Sequence, residues 1–408
     1  MKNKHNVAHI VVNNLGGITT LVQNLILYKG NLALEQELFL LDVEGNVNAP
    51  ATSFLDTSLE PQNLYFNPNS NWYNSFNKIS KKLSESTGIL VSNDQYDLIM
   101  LNAFNVPRKV VQLVHDPYNL SLSVKFHEVI DAFVAHSEYI YHELIKMLPD
   151  RSLSIYYIPY GIPIFNKLIK SYNVNKPLKL IYLGRHDQQK GIYDLFHINH
   201  LLENANIFVE WTMLGRGPET NNFKKQWTDK DNVKFLTPES AQGLAELLSE
   251  QDILVFPSRF EGFPVAVLES MSSGCVPIVS NLDGGIQQVV IDGITGFKCG
   301  VGDKNAFSEM IINLHYNREH LFKMQQACIN LVEQHYNIAN QAPKYQNLFS
   351  LLANDTNQPK HFAVNGKIGS RLDNRYMPDW VTKIIRKTAS IFAVFNSLCI
   401  NSISIVIS

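Results

Sequence analysis

Apolar residues in this chain gather in short β-rich runs, separated by stretches in which apolar positions recur every three or four residues. Val7–Val12 is one such run, interrupted by His9. It ends at Asn13, Asn14, Leu15, Gly16 and Gly17, and a helical pattern follows from Ile18 to about Tyr28. Leu38–Val43, Asp97–Asn102, Lys109–His115, Asp131–His136 and Ser154–Ile158 read as further strands, most with helical segments between them. A second series follows a break: Leu178–Leu183, Asn206–Leu214, Val233–Leu236, Ile253–Phe256 and Val276–Ser280, with Gly296–Lys298 as an edge. Strands alternating with helices predict parallel βαβ units. The stretch from about 46 to 95 is rich in Asn and Ser and poorly periodic, and is expected as a long loop over one face.

The break spans about residues 160–177, where Gly161, Pro163 and Pro177 punctuate a polar stretch suited to an interdomain linker. The expected fold is therefore α/β: two facing, Rossmann-like, doubly wound domains over 1–165 and 166–350, followed by a tail over 351–408. Ligands of such sheets lie beyond the carboxyl ends of the strands, so the cleft between the domains is the expected site.

A length of 408 residues suits two or three domains. With 45% hydrophobic residues and a formal net charge of −2, the chain carries no basic footprint for nucleic acid. Cys275, Cys299, Cys328 and Cys399 form no CxxC pair, are too sparse for a disulfide framework, and read as buried thiols of a reducing cytosol. The first apolar run is too short for a signal-peptide core. These features together lead us to expect a cytoplasmic location.

The segment Pro257–Ser280, PSRFEGFPVAVLESMSSGCVPIVS, carries the most chemistry. Glu261 precedes the turn residue Gly262. Pro264 suits a first helical turn, and Val265–Ser272 continues as a helix whose amides point back at the loop, a ready anion site. Glu261 and Glu269 would stand about 12 Å apart in continuous helix. That separation fits two carboxylates gripping the two ends of an extended ligand better than one metal or one proton.

FEGFPVAVLESMSSGCVPIVS resembles the E-x7-E signature of retaining GT-B glycosyltransferases of family 4. The likeness continues through NLDGGIQQVVIDGITGF (281–297) and covers about residues 7–350. It implies that Glu261 contacts hydroxyls of the transferred sugar, that Glu269 contacts the ribose, and that amides around Phe263–Val265 meet the sugar and diphosphate. Gln288 departs from the pattern, which usually has Glu; a weakened helix-start interaction is expected there.

Three further elements fit this likeness. In LGRHDQQKG (183–191), Arg185 and Lys190 place two cations in one loop after a strand, able to neutralise a departing diphosphate. Gly16 and Gly17, between a strand and a helix, let backbone amides approach a phosphate. His115, at the end of KVVQLVH, matches the family's His near the donor sugar. Ser137 reads as a helix cap with Glu138 in the first turn.

Two motifs are set aside. LGRGPE (214–219) lacks the third glycine of a dinucleotide fingerprint. The Asp229–Lys230–Asp231 triplet sits in a charged turn and reads as solvated. The resemblance thus implies transfer of a sugar from a nucleotide-diphosphate donor with retention; we expect a hexose, UDP-linked before GDP-mannose, and a glycan or lipid-linked acceptor in cell-surface polysaccharide or lipopolysaccharide synthesis. It implies no cofactor and no metal. A nucleotide-sugar epimerase, a phosphorylase and a non-catalytic binding protein remain alternatives.

The tail changes character. Residues 360–387 hold a net charge of +5, and Pro378 is placed to open a helix with Trp380, Val381, Ile384, Ile385, Ile391, Phe392 and Phe395 on one side and Lys383, Arg386 and Lys387 off it. Residues 388–408 have no charge. A basic amphipathic helix with Trp suits peripheral attachment to an anionic inner leaflet. The competing expectation is a helix packed back on the amino-terminal domain.

Overall fold

In the amino-terminal half, seven parallel strands are ordered β3-β2-β1-β4-β5-β6-β7. They are β1 (His5–Val12), β2 (Glu35–Val43), β3 (Gln62–Phe66), β4 (Thr87–Ser92), β5 (Arg108–Val114), β6 (Ala132–Ala135) and β7 (Ile155–Tyr157). The second sheet is ordered β10-β9-β8-β11-β12-β13, from β8 (Leu178–Leu183), β9 (Val209–Leu214), β10 (Val233–Leu236), β11 (Ile253–Phe256), β12 (Val276–Ser280) and β13 (Phe297–Cys299). The computed structural model describes residues 5–30, 34–165, 176–238, 240–355 and 368–389.

Helices cover both faces of each sheet, so the central strands are buried along their length, polar members such as Gln112 included. All seven residues of β5 and all five of β12 are buried. Strand order reverses direction between β1 and β4 and again between β8 and β11. These are the switch points at which a crevice opens beyond the strand ends. The loops leaving β1, β8 and β11 carry Gly16–Gly17, Arg185–Lys190 and Glu261–Val265.

Three sequence expectations change. Asp97–Asn102 is not a strand but part of the helix Gln95–Ala103. The Asp94 side chain caps it, and the Asp97 carboxylate accepts from the Asn93 and Asp94 amides, completing a capping box that outweighs the strand-like run. The stretch 46–95 is not one loop: it holds β3, the helix Trp72–Leu83 and the buried strand β4. Gly296–Lys298 is displaced by one residue, to β13 at the sheet edge. Cys275, Cys299 and Cys328 are buried thiols. Cys399, linker residues 166–175 and tail residues Lys360, Lys367, Ile391, Phe392 and Phe395 lie outside the described residues.

The helix Ile338–Asn354 crosses back to the amino-terminal sheet. Gln346 Nε2 donates to the Tyr28 carbonyl at 2.7 Å, the Tyr345 hydroxyl lies 3.1 Å from His136 Nδ1, and buried Lys109 donates to the Asp355 carbonyl at 2.9 Å.

Residues 368–389 also pack on that domain. Ile368 is buried in its core, and a helix over 379–389 follows. Asp373 is fully buried: its carboxylate accepts from the Trp72 amide at 2.8 Å and from Arg386 Nη2 at 2.6 Å. Asn71 donates to the Asn374 and Met377 carbonyls, and Asn74 to Asp379. The facing differs from the sequence pattern. Arg386 turns inward, over the Trp72 ring, while Trp380 and Ile384 stand in solvent, 66% and 58% exposed. Asp373 selects this orientation, because a buried carboxylate requires a cationic partner. Among the described residues, no helix is long and apolar enough to cross a membrane.

Candidate active site

The two domains meet where glycines leave room for them. A Cβ on Gly17, at the start of the helix Gly17–Leu27, would lie 2.8 Å from Val265 Cγ2 of the opposite domain. A Cβ on Gly262 would lie 2.6 Å from the His115 carbonyl oxygen. Both positions therefore need glycine for close approach. Gly16, by contrast, has open space around it.

Arg185 and Lys190 occupy the loop after β8. The Asp187 carboxylate accepts from the Gln189 amide, forming a tight turn over Gln188–Lys190 that sets the direction of Lys190. Lys190 Nζ then donates to Glu261 Oε1 at 2.6 Å. Arg185 is nearly half exposed. It pairs with Asp187 at 3.2 Å and reaches across the cleft to Asn48 Oδ1 at 3.4 Å. Asn48 follows a loop tied to the glycine turn: Asn46 donates to Asn14 Oδ1, and the Leu15 amide to the Ala49 carbonyl.

The helix Val265–Ser272 opens directly after Pro264, and no side chain caps its first amides. Within this turn the Val265 amide donates to the Phe263 carbonyl and the Val267 amide to the Pro264 carbonyl, both at 3.0 Å. Pro264 stands at the N-cap rather than within the first turn. The Phe263 ring stacks on Tyr160 at 4.7 Å with an 8° interplanar angle, so its side chain joins the domains and leaves only its backbone for a ligand. Glu269 is half-buried on this helix, and desolvation pushes its carboxyl up to about 7.

His115 lies at the end of β5 on the cleft floor, but its ring is 5% exposed and fully engaged. Asn93 Nδ2 donates to the Ile10 carbonyl, which leaves Asn93 Oδ1 to accept from His115 Nε2 at 3.0 Å. The Tyr160 hydroxyl then donates to Nδ1 at 2.5 Å. Burial, with His136 stacked alongside, holds the imidazole well below its usual pKa, hence neutral. In this arrangement both ring nitrogens of His115 are engaged, tying the end of β5 to Asn93 and Tyr160.

Gln288 does hold a helix start. Its Oε1 accepts from the Glu138 amide at 3.1 Å and its Nε2 donates to the Tyr157 hydroxyl, two bonds between the domains. Ser137 caps the same helix through the Ile140 amide. Asp229 and Asp231 are exposed, and Lys230 pairs with Glu203 at 2.6 Å.

Sequence reasoning missed Asn48, Tyr160 and a cavity of about 440 Å³ beyond β8, β9 and β10. His186, Arg216, Thr220, Lys224, Phe235 and Thr237 contribute to its lining. His186 is buried, its Nδ1 lies 3.0 Å from Thr220 Oγ1, and its Nε2 has no partner among the described residues. Desolvation, with Lys224 nearby, lowers its pKa to about 4. A lone polar residue after Arg185 gave no pattern to flag it.

Two parallel-sheet, Rossmann-like domains make up the GT-B fold. Its structural likenesses include Anabaena HepE in complex with UDP-glucose (TM-score 0.70, 17% identity, 85% of this chain and 100% of that one). A glycosyltransferase from Rickettsia africae is also similar (TM-score 0.68, 15% identity, 87% and 100%). Residues 165–331 match the family of glycosyl transferases group 1. Among curated relatives, the amylovoran biosynthesis glycosyltransferase AmsK of Erwinia amylovora is 25% identical over 40% of this chain and 42% of its own length. The N-acetyl-alpha-D-glucosaminyl L-malate synthase of Bacillus anthracis is 26% identical over 53% and 58%. The chain thus spans about half the length of these two relatives.

Proposed function

We propose that this chain transfers a sugar from a nucleotide-diphosphate donor to a glycan or lipid-linked acceptor, with retention of anomeric configuration. A UDP-linked hexose is the favoured donor, and cell-surface polysaccharide assembly the favoured setting. The observation that carries this reading is the Lys190–Glu261 pair at 2.6 Å, in a cleft that also gathers Arg185, the Gly17 turn and an uncapped helix start.

The bond between the anomeric carbon and the phosphate oxygen breaks with charge growing on the diphosphate. Arg185, Lys190 and the amides near Val265 meet that charge in an arrangement fixed beforehand. Glu261 holds hydroxyls of the sugar, whose oxocarbenium-like character resembles that in glycoside hydrolysis. Glu269 takes the ribose, and the 440 Å³ cavity beyond β8–β10 takes the base, with Phe235 as an apolar wall and His186 Nε2 as a polar contact. The relatives support the setting: one is named for amylovoran biosynthesis, another as a UDP-Gal-dependent galactosyltransferase acting on a diphosphoundecaprenol-linked sugar.

The test is a thermal-shift screen of nucleotide sugars. A ligand at ten times its Kd stabilises by about 1.4 kcal/mol. Stabilisation by a UDP-sugar, followed by UDP release with an acceptor extract, is expected. A protein that no nucleotide sugar stabilises would overturn the proposal.

A further inference from the structure

The helix over 379–389 is fixed to the fold by one face and leaves the other uncovered. Asp379, Thr382 and Arg386 point inward: Thr382 is fully buried and Arg386 donates to the Pro68 and Ser70 carbonyls. Trp380, Lys383, Ile384 and Lys387 follow one another at three- and four-residue spacing, share the opposite face and are exposed. Tyr376, 75% exposed, and Arg375 extend that surface before the helix.

Its position follows from topology. Pro68 and Ser70 come just after the carboxyl end of β3, and all seven strands of that sheet are parallel. The tail helix is therefore seated at the same end of the sheet as the Gly16–Gly17 turn and His115, against the loop and helix that follow the edge strand β3.

We propose that this face is a docking surface for an anionic lipid bilayer. Trp and Ile suit the headgroup boundary, and interleaved cations suit negatively charged headgroups. An ordinary solvated helix would turn Trp380 and Ile384 inward and Arg386 outward; here the core has taken Arg386 and left the apolar pair outside. The chain also continues from this helix through residues 390–408 without a single charged side chain. This surface does not depend on the reaction assigned to the cleft.

The experiment is flotation of the full chain with phosphatidylcholine vesicles and with phosphatidylcholine–phosphatidylglycerol vesicles. Binding to the anionic vesicles, weakened by salt and nearly absent on neutral ones, is expected. The variant Trp380→Glu/Ile384→Glu, at exposed positions, should retain its melting temperature and its response to nucleotide sugars while losing at least about tenfold in vesicle partitioning. Lys383→Glu should weaken binding severalfold, and only on anionic vesicles. Unchanged flotation of the double variant would overturn the assignment and point to residues 390–408 instead. So would failure of the native chain to float, or a concentration-dependent dimer abolished by the double variant, which would assign the face to a second copy.

Discussion

Lys190 Nζ lies 2.6 Å from Glu261 Oε1, so the cation proposed for the departing phosphate and the carboxylate proposed for the sugar are bound to each other before any ligand arrives. Each holds the other in place, and a donor must enter beside the pair without scattering it. Glu261→Ala is expected to abolish transfer with the fold intact. Lys190→Ala and Arg185→Ala should each lower kcat by about 10²-fold, as loss of an oxyanion donor does. Steady-state kinetics on purified variants check this, and near-normal kcat in both cation variants would refute the role.

Desolvation holds the Glu269 carboxyl at about 7, above the ordinary 4.5. The folded chain therefore keeps a proton that the unfolded chain releases between these values. The stabilisation is present below 4.5 and fades as pH rises through 7. Ribose hydroxyls donate to the ionised form, so donor affinity should rise with pH through about 7 with proton release. Calorimetry in two buffers of different ionisation heat measures the release, and Glu269→Gln should remove it. An identical release in that variant would place the ribose elsewhere.

Gly17→Ala would set a methyl group 2.8 Å from Val265 Cγ2. The domains should then close imperfectly, lowering kcat/KM by about tenfold or more, in line with the sensitivity of positioned reactions to small displacements. Val265→Ala should restore part of that loss in the double variant and cost little alone. A double variant no better than Gly17→Ala would mean the two residues do not act through their contact.

Gln288→Ala removes two bonds between domains, at a cost of about 1–2 kcal/mol. Small-angle scattering should show a broader spread of interdomain distances. Gln288→Glu keeps an acceptor for the Glu138 amide at a helix start, where negative charge is favourable, and kcat should stay within about threefold of the native value.

Asp373→Ala would leave Arg386 and the Trp72 amide without their shared acceptor, and breaking such a buried pair costs about 3–5 kcal/mol. Proteolysis within 368–389 should accelerate sharply, whereas Lys383→Glu should be cut at the native rate.

The strands flanking each switch point were legible because they are buried on both faces, so apolar runs such as Lys109–His115 mark them directly. The cleft was expected from two such α/β series on either side of a linker. Leu98, Met100 and Leu101 misled because a short apolar run looks alike in a strand and a buried helix; only the Asp94–Asp97 spacing separated the two. Asn48 and Tyr160 carried no signal, since each acts through a partner on a remote part of the chain. The facing of the tail helix depended on Asp373, a buried charge that no periodicity reveals.

The helix Ile338–Asn354 ends against Lys109, a strand residue made much earlier in translation. As the ribosome extends the chain, Lys109 lacks its Asp355 partner and the flank beside Tyr28 lacks its covering helix until the final quarter of the polypeptide emerges. An isolated amino-terminal half is consequently a poor candidate for recombinant production, and early stop codons should yield insoluble fragments rather than a working lobe.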